Sequence, residues 1–317
     1  MWRLHRDEAF ALEWCMLGCR GAIPLSAPVI YTDLDGTLLD HDNYGLGPAG
    51  AVLLEMLAHN IPVIPVTSKT HAEVQLLCHT LEMTGPFVVE NGAAIWVPQT
   101  WGLSRPPGSA SASGYWCHVL GKSRGYIRGL LAGLAGEWSG RFHALSDMSV
   151  RQVCAVTGLD EFSARRAQAR HYSEALLWLG SAADRIGFVQ ATAELGLQVV
   201  EGGRFLHVLA GGGKGTAMRW LHQKICRDLY SDAISIAAGD ANNDLELLEA
   251  ADHALVVRSP VHEPPKPHNH PKLYISRLEG PAGWAEGIQH IIKVIDQERG
   301  HGRFLSERQH HYAAQSG

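Results

Sequence analysis

The chain has few of the features that direct a protein into a membrane or cross-link it. No apolar run in its 317 residues approaches the length needed to span a bilayer. The six cysteines, Cys15, Cys19, Cys78, Cys117, Cys154 and Cys226, show neither a paired framework nor the close spacing of a zinc knuckle. They read as reduced packing residues of a cytoplasmic protein. A net charge of −5 supplies no basic surface for nucleic acid or an anionic membrane. A secretory leader is not expected either: Glu13 interrupts the apolar stretch 9–18, and Asp7 and Glu8 precede it where a leader carries only positive charge. Residues 1–27 therefore read as an extension, either an accessory helix or the product of an upstream start, with Met16 an alternative first residue. Oligomeric state leaves no mark in the sequence.

What is present is more specific. Val29-Ile30-Tyr31-Thr32 is a short β-branched and apolar run that ends in Asp33-Leu34-Asp35-Gly36. Side chains alternate along a strand, so Asp33 and Asp35 leave its end on the same side. Two such carboxylates repel each other and call for a shared proton or a cation. A hard ion such as Mg²⁺ takes oxygen ligands of this kind and recruits phosphate. The pattern suggests phosphoryl chemistry with an aspartate nucleophile; the alternative on these four residues alone is an acidic, solvated turn.

The organisation supports the first reading. Pro48 opens a helix with apolar residues at helical spacing, Ile61 to Val66 reads as a strand despite Pro62 and Pro65, and Thr70 with Glu73 forms a capping box that predicts a helix over 70–81. Phe87 to Val89 is a third strand ending at Glu90-Asn91-Gly92. After a Pro-, Gly- and Ser-rich stretch from Pro98 to Gly114 comes a less regular block, with a helix over 160–171 and strands near 175–179, 197–201 and 205–209. Strand–helix alternation returns at Gly213, with strands at 234–238 and 254–257. The expected architecture is an α/β parallel-sheet core, residues 28–98 and 210–296, interrupted by an inserted domain at 99–209 and followed by a polar, disordered tail at 297–317. His262 to Pro271, rich in Pro and His, reads as a surface loop rather than a metal site.

Three further features fall at strand ends, where a parallel sheet gathers its ligands. Thr67-Ser68-Lys69 offers a hydroxyl, backbone donors and a cation. Gly211-Gly212-Gly213-Lys214-Gly215 is not a nucleotide P-loop, because Gly215 follows the lysine where Ser or Thr is required, yet Lys214 can still sit beside a phosphate. Gly239-Asp240-Ala241-Asn242-Asn243-Asp244 ends an apolar strand and adds two carboxylates a helical turn apart.

Taken together, Asp33-Leu34-Asp35-Gly36-Thr37, Thr67, Lys214 and Gly239–Asp244 resemble the four motifs of the haloacid-dehalogenase-like phosphatases. Residues 65–70, 89–95 and 157–174 resemble the mannosyl-3-phosphoglycerate phosphatase family within that superfamily. The resemblance covers about residues 28–295 and implies a Rossmann-like core with a large inserted α/β cap. It further implies Mg²⁺ held by Asp33, the Asp35 carbonyl and Asp240, with Asp33 as nucleophile and Asp35 as general acid and base. Thr67 and Lys214 would neutralise the phosphoryl group, and Asn243 and Asp244 would orient Lys214 and the metal shell. Ser68, Lys69, Glu90 and Asn91 on the core, with Arg166 and Arg170 on one helix face of the cap, are the expected contacts to a phosphorylated glycosyl-glycerate. A glucosyl substrate, a phosphosugar mutase and a non-catalytic phosphosugar-binding regulator are the competing expectations.

Overall fold

The computed structural model describes residues 28–134 and 136–299; the N-terminal extension and most of the tail lie outside them. The chain enters at β1 (Pro28–Thr32), followed by α1 (Ala49–Ala58), β2 (Val63–Pro65), α2 (His71–Thr80) and β3 (Phe87–Val89). Thr70 caps α2 reciprocally with Glu73, as their spacing predicts. Next come β4 (Ala94–Pro98), β5 (Ala110–Ala112), β6 (Tyr115–Val119), α3 (Arg124–Leu134), β7 (Phe142–Ala144), α4 (Val150–Thr157), α5 (Glu161–Gln168), β8 (Ser173–Trp178), α6 (Ala182–Glu194), β9 (Gln198–Gly202) and β10 (Phe205–Leu209). The course ends with α7 (Lys214–Asp228), β11 (Ile234–Gly239), α8 (Leu245–Ala250), β12 (His253–Arg258), β13 (Leu273–Glu279) and α9 (Gly280–Glu298).

Five parallel strands form the core sheet in the order β13-β12-β11-β1-β2. Both faces are covered, and the strand residues divide by the two-residue period. Ile30, Val63, Ile236 and Leu255 pack with α1 and α9, while Val29, Tyr31, Ile64 and Val256 pack with α7 and α8. Because β1 lies between β11 and β2, the carboxyl ends carrying Asp33, Thr67 and Asp240 are neighbours. The parallel α/β class expected from the strand–helix alternation is the one observed.

Two expectations require correction. β3 does not run on as another parallel core strand: only a parallel bridge from Val88 to Val66 ties it to the core sheet, and it pairs antiparallel with β4. Glu90 and Asn91 both take left-handed backbone angles (φ 50° and 55°) and Gly92 has φ 90°, so the chain reverses there. The Pro- and Gly-rich stretch after Pro98 is not a linker into the cap, because it contains β5 and leads into β6, both in the β3-β4-β6-β5 sheet. His71, Phe87, Trp96 and Tyr115 pack ring against ring and hold this sheet to α2. The two chain passages to the inserted unit run side by side at Lys122, whose N–H donates to the Ala210 carbonyl at 2.8 Å. We therefore draw the cap as residues 122–209 rather than from residue 99. β13 was not anticipated, and α9 extends to Glu298, past the expected start of the tail at 297.

The cap is an antiparallel sheet in the order β7-β8-β10-β9. Helices α3 and α6 cover one face through Ile127, Leu131 and Phe188, and α4 and α5 lie against Ala175 and Phe205 on the other. The helix expected over 160–171 ends at Gln168, with Asp160 as its N-cap. Arg170 is thus off the helix, and the shared face proposed for it and Arg166 does not form.

Helix α7 starts where it packs hard against α8. A Cβ on Gly215 would come 2.1 Å from the Glu246 carbonyl oxygen, a backbone atom with no freedom to retreat. Alanine ordinarily gains about 1 kcal/mol over glycine inside a helix. Here Gly215→Ala should instead destabilise the protein by roughly 1–3 kcal/mol and lower turnover by displacing the neighbouring Lys214. Urea unfolding measures the first effect; a gain in stability would contradict the packing argument.

Candidate active site

Lys214 opens α7 and is 2% exposed. Its ammonium lies 2.7 Å from Asp33 Oδ1 and 2.6 Å from Asp244 Oδ1. Burial opposes the charge on Lys214, but Asp244 and then Asp33 hold its pKa above the usual lysine value. The other oxygen of Asp244 accepts the N–H groups of Asp240 and Ala241 at 3.1 Å each, so this carboxylate fixes both the lysine and the turn after β11. Asp244 thus contacts the lysine that it was expected to orient.

Asp33 and Asp240 carry the strain of the site. Burial raises the Asp33 carboxyl, Lys214 partly offsets that, and the nearby Asp244 and Asp35 carboxylates raise it further. Burial, followed by Asp244 and Asp33, likewise raises Asp240. Thr37, the last residue of the first motif and one with no role assigned from sequence, donates its hydroxyl to Asp240 Oδ1 at 2.9 Å. Gly36 adopts φ 78°, and a Cβ there would lie 2.6 Å from Asp240 Oδ2, so only glycine lets the two acidic loops approach this closely.

Oxygens of Asp33, Asp240 and Asp244 can all lie within 4.8 Å of one another. An all-carboxylate set whose charges resist burial suits a hard divalent cation. Asp244 already spends its oxygens on Lys214 and two amides, which leaves Asp33 and Asp240 as the pair suited to a cation. His262, from the Pro/His-rich loop, also reaches this place: its Nε2 stands 3.4 Å from Asp240 Oδ2. That contact was invisible in sequence, since only the fold of the loop returns His262 to the end of β11.

On the other side, Asp35 pairs with Lys69 at 2.9 Å, and Lys69 lies over the Tyr44 ring. The Asp35 carboxylate is the largest influence holding the Lys69 charge against the cost of burial. Thr67 is buried at the end of β2, where its hydroxyl accepts the Lys69 N–H at 3.2 Å. The helix cap is supplied by Thr70, as expected.

The remaining expected contacts divide between site and seam. Glu90 is fully buried, and its carboxylate accepts the N–H groups of His171 and Tyr172 and the Ser173 hydroxyl, at 2.9, 3.0 and 2.6 Å. It fastens the cap to the core, so its oxygens are not free for substrate as expected. Arg170 donates to the Ser68 carbonyl and to Ser173 Oγ, and its Nε has no protein partner. The Arg166 carbonyl accepts from Thr70 Oγ1, and its guanidinium, bonded to Ser163, lines a cleft with Tyr44, Lys69 and Leu159. Asn91 donates its N–H to the Thr67 carbonyl, while both ends of its buried amide lack partners. Asn243 makes no contact with Lys214 among the described hydrogen bonds; it sits by Gly202 of the cap, a correction to its expected orienting role.

Residues 30–103 match the haloacid dehalogenase-like hydrolase family, and residues 190–291 match the sucrose-6F-phosphate phosphohydrolase family. A protein of Thermoplasma acidophilum has the same fold, with a TM-score of 0.59 at 15% identity over 84% of this chain and 99% of its own. The sucrose-phosphatase of Synechocystis sp. PCC6803, solved in complex with sucrose and phosphate, gives a TM-score of 0.54 at 14% identity over 84% of this chain and 98% of its own. With the relative described next, these matches make the protein a phosphatase of the haloacid-dehalogenase-like class. A glucosyl-3-phosphoglycerate/mannosyl-3-phosphoglycerate phosphatase of Methanococcoides burtonii is 32% identical over 269 residues, 83% of this chain and 97% of the relative. The chain belongs to the mannosyl-3-phosphoglycerate phosphatase family. No helix among the described residues is long and apolar enough to cross a membrane.

The raised carboxyls at Asp33 and Asp240 make the metal-free site pH-sensitive. A carboxyl raised in the folded state binds more protons there than in the unfolded chain, so its contribution to stability falls as pH rises from the unfolded value of about 4 through the raised folded value. A divalent cation offsets that loss where the carboxylates are ionised. The increase in melting temperature on adding Mg²⁺ should therefore grow from about pH 5 to about pH 8 and shrink in Asp240→Asn. A pH-independent increase would place the cation elsewhere.

Proposed function

We propose that this phosphatase hydrolyses glucosyl- or mannosyl-3-phosphoglycerate with Mg²⁺ as its cation, through a phospho-Asp33 intermediate. The observation carrying this reading is the buried Asp33–Lys214–Asp244 array beneath a docked cap, in a chain 32% identical to a phosphatase named for those substrates. One oxygen of Asp33 attacks phosphorus and the bond to the glycerate oxygen breaks. Asp35 gives that oxygen its proton, then takes one from the water that releases phosphate and regenerates Asp33. Lys214 and Thr67 offset charge on the transferred group. Asp33, Asp240 and the Asp35 carbonyl would hold Mg²⁺, which when bound supplies further positive charge at the phosphoryl oxygens.

Lys69 is paired with the carboxylate of Asp35. A substrate carboxylate that draws Lys69 away would release Asp35 from this pair to face the leaving oxygen, which couples recognition to catalysis. Arg170, with its unpartnered Nε beside the Ser68 loop, is the second expected ligand of that carboxylate.

Phosphate release from the two glycosyl-phosphoglycerates, with and without Mg²⁺, tests the assignment. Asp33→Asn should abolish turnover, and Asp35→Asn should slow it by roughly 100-fold or more. Normal rates in Asp33→Asn would remove the covalent route, and failure of the wild-type protein on both substrates would remove the substrate assignment.

Arg170→Ala should lower kcat/KM on the glycosyl-phosphoglycerate at least roughly tenfold more than on an aryl phosphate lacking a carboxylate. Equal losses on both would assign Arg170 to holding the cap alone.

A further inference from the structure

The sheet of the cap turns one face to the core. Ser173, on that face, bonds Glu90. His207 lies on the same face, because it pairs with Ala175, two residues along the strand from Ser173. It is 3% exposed. A Cβ on Gly202 would lie 3.1 Å from His207 Nε2 and 3.8 Å from Asn243 Nδ2, so these two side chains, one from each domain, flank the same backbone point. His207 Nδ1 and Asn243 Oδ1 have no protein partner, and neither does the Asn91 amide or Arg170 Nε. A buried polar atom without a partner costs roughly 1–3 kcal/mol, so a group of them at one seam needs a reason.

The protonation state of His207 defines what can satisfy it. Burial, and then the nearby Arg170 and Lys214 charges, hold its pKa well below that of an ordinary histidine, while a hydrogen bond to the Gly202 backbone works the other way. A hydrogen bond that favours the protonated ring is one the ring donates, and Nε2 is the nitrogen facing Gly202. We assign the proton of the neutral ring to Nε2, which leaves the lone pair on Nδ1. A lone pair accepts a hydrogen bond from O–H; it does not bind the oxygens of an ionised phosphate or carboxylate.

We propose that His207 Nδ1 and Asn243 Oδ1, the partnerless atoms of two side chains that both approach Gly202, form the hydroxyl-recognising part of the site and accept hydrogen bonds from the glycosyl group of the substrate. The inference rests on the proposed function and deepens it. The anionic end of the substrate goes to the donors, Lys214, Lys69 and Arg170, and the polyhydroxyl end to the neutral acceptors at the cap–core seam. Because His207 comes from the cap and Asn243 from the core, a sugar held between them also completes the docking of the cap. Phosphate esters without hydroxyls would not draw on this part of the site.

Leucine and asparagine have nearly the same shape and differ in the polar acceptor, so His207→Leu and His207→Asn isolate the hydrogen bond from packing. The measurements are kcat and KM for both glycosyl-phosphoglycerates and for p-nitrophenyl phosphate, with melting temperatures of each variant. His207→Leu should lose roughly 10- to 100-fold in kcat/KM on the glycosyl substrates relative to His207→Asn, mostly through KM, with less than about a threefold difference on the aryl phosphate. Calorimetry with the dephosphorylated glycosylglycerate should show the same order of affinities without turnover. Equal behaviour of the two variants on the glycosyl substrates, or equal losses on all substrates, would overturn the proposal. If His207→Leu does not fold, His207→Phe takes its place in the comparison. If wild type turns over neither glycosyl substrate, the substrate assignment fails on its own; the variants are then compared on the best polyhydroxylated phosphate ester in a substrate panel, with the same outcomes deciding.

Discussion

The buried ammonium of Lys214 is the interaction on which the site depends. It is the one cation in contact with both Asp33 and Asp244 among the described residues, and each of its two carboxylates has a second task. Asp33 ends β1, and Asp244 holds the amides of the turn after β11. The three groups therefore tie together strand ends that come from positions 33, 214 and 244 in the chain. Removing one partner from such a buried set leaves an uncompensated charge worth roughly 3–5 kcal/mol. On the proposed mechanism that cost has a use, because the same geometry places Asp33 where a phosphoryl group and a cation would both reach it. Stability and chemistry draw on the same three side chains.

A second buried charge, Glu90, does for the cap what Lys214 does for the core. Its carboxylate takes two amides and a hydroxyl from His171, Tyr172 and Ser173, while its own backbone is held in a left-handed conformation. Because Glu90 follows β3 directly and Asn91 bonds to the Thr67 carbonyl, the strut that positions the cap is built into the loop beside Thr67. The position of the cap and that of the loop after β2 are thus mechanically joined. The seam between them collects the partnerless polar atoms of Asn91, Arg170, His207 and Asn243, which lie where a ligand shared by both domains would satisfy them.

How much could be read in advance followed from the range of each interaction. The Thr70–Glu73 cap and the Gly239–Asp244 turn are encoded within a few residues, and each formed as its spacing implied. Glu90 was recognised as important but given the wrong partner, because nothing in Glu90-Asn91-Gly92 says that residues 171–173 will come back to it. Arg166 and Arg170 were paired by helical periodicity, but α5 stops at Gln168. The Pro- and Gly-rich stretch near 100–114 looked like a linker because β5 is a short exposed edge strand, with too little apolar alternation to announce itself.

The sequence by itself determined the local chemistry: which carboxylates end strands, which lysine opens a helix, which threonine caps one, and that apolar runs of alternating period would make a parallel sheet. These depend on neighbours within about one turn or one strand, where backbone geometry leaves few choices. Only the tertiary structure decided which of those groups meet: that Asp244 and not Asn243 holds Lys214, that His262 returns to Asp240, and that His207 from the cap faces Asn243 from the core across Gly202. Such meetings join residues tens to hundreds of positions apart. They are fixed by strand order and by the packing of whole layers, quantities that no single stretch of sequence contains.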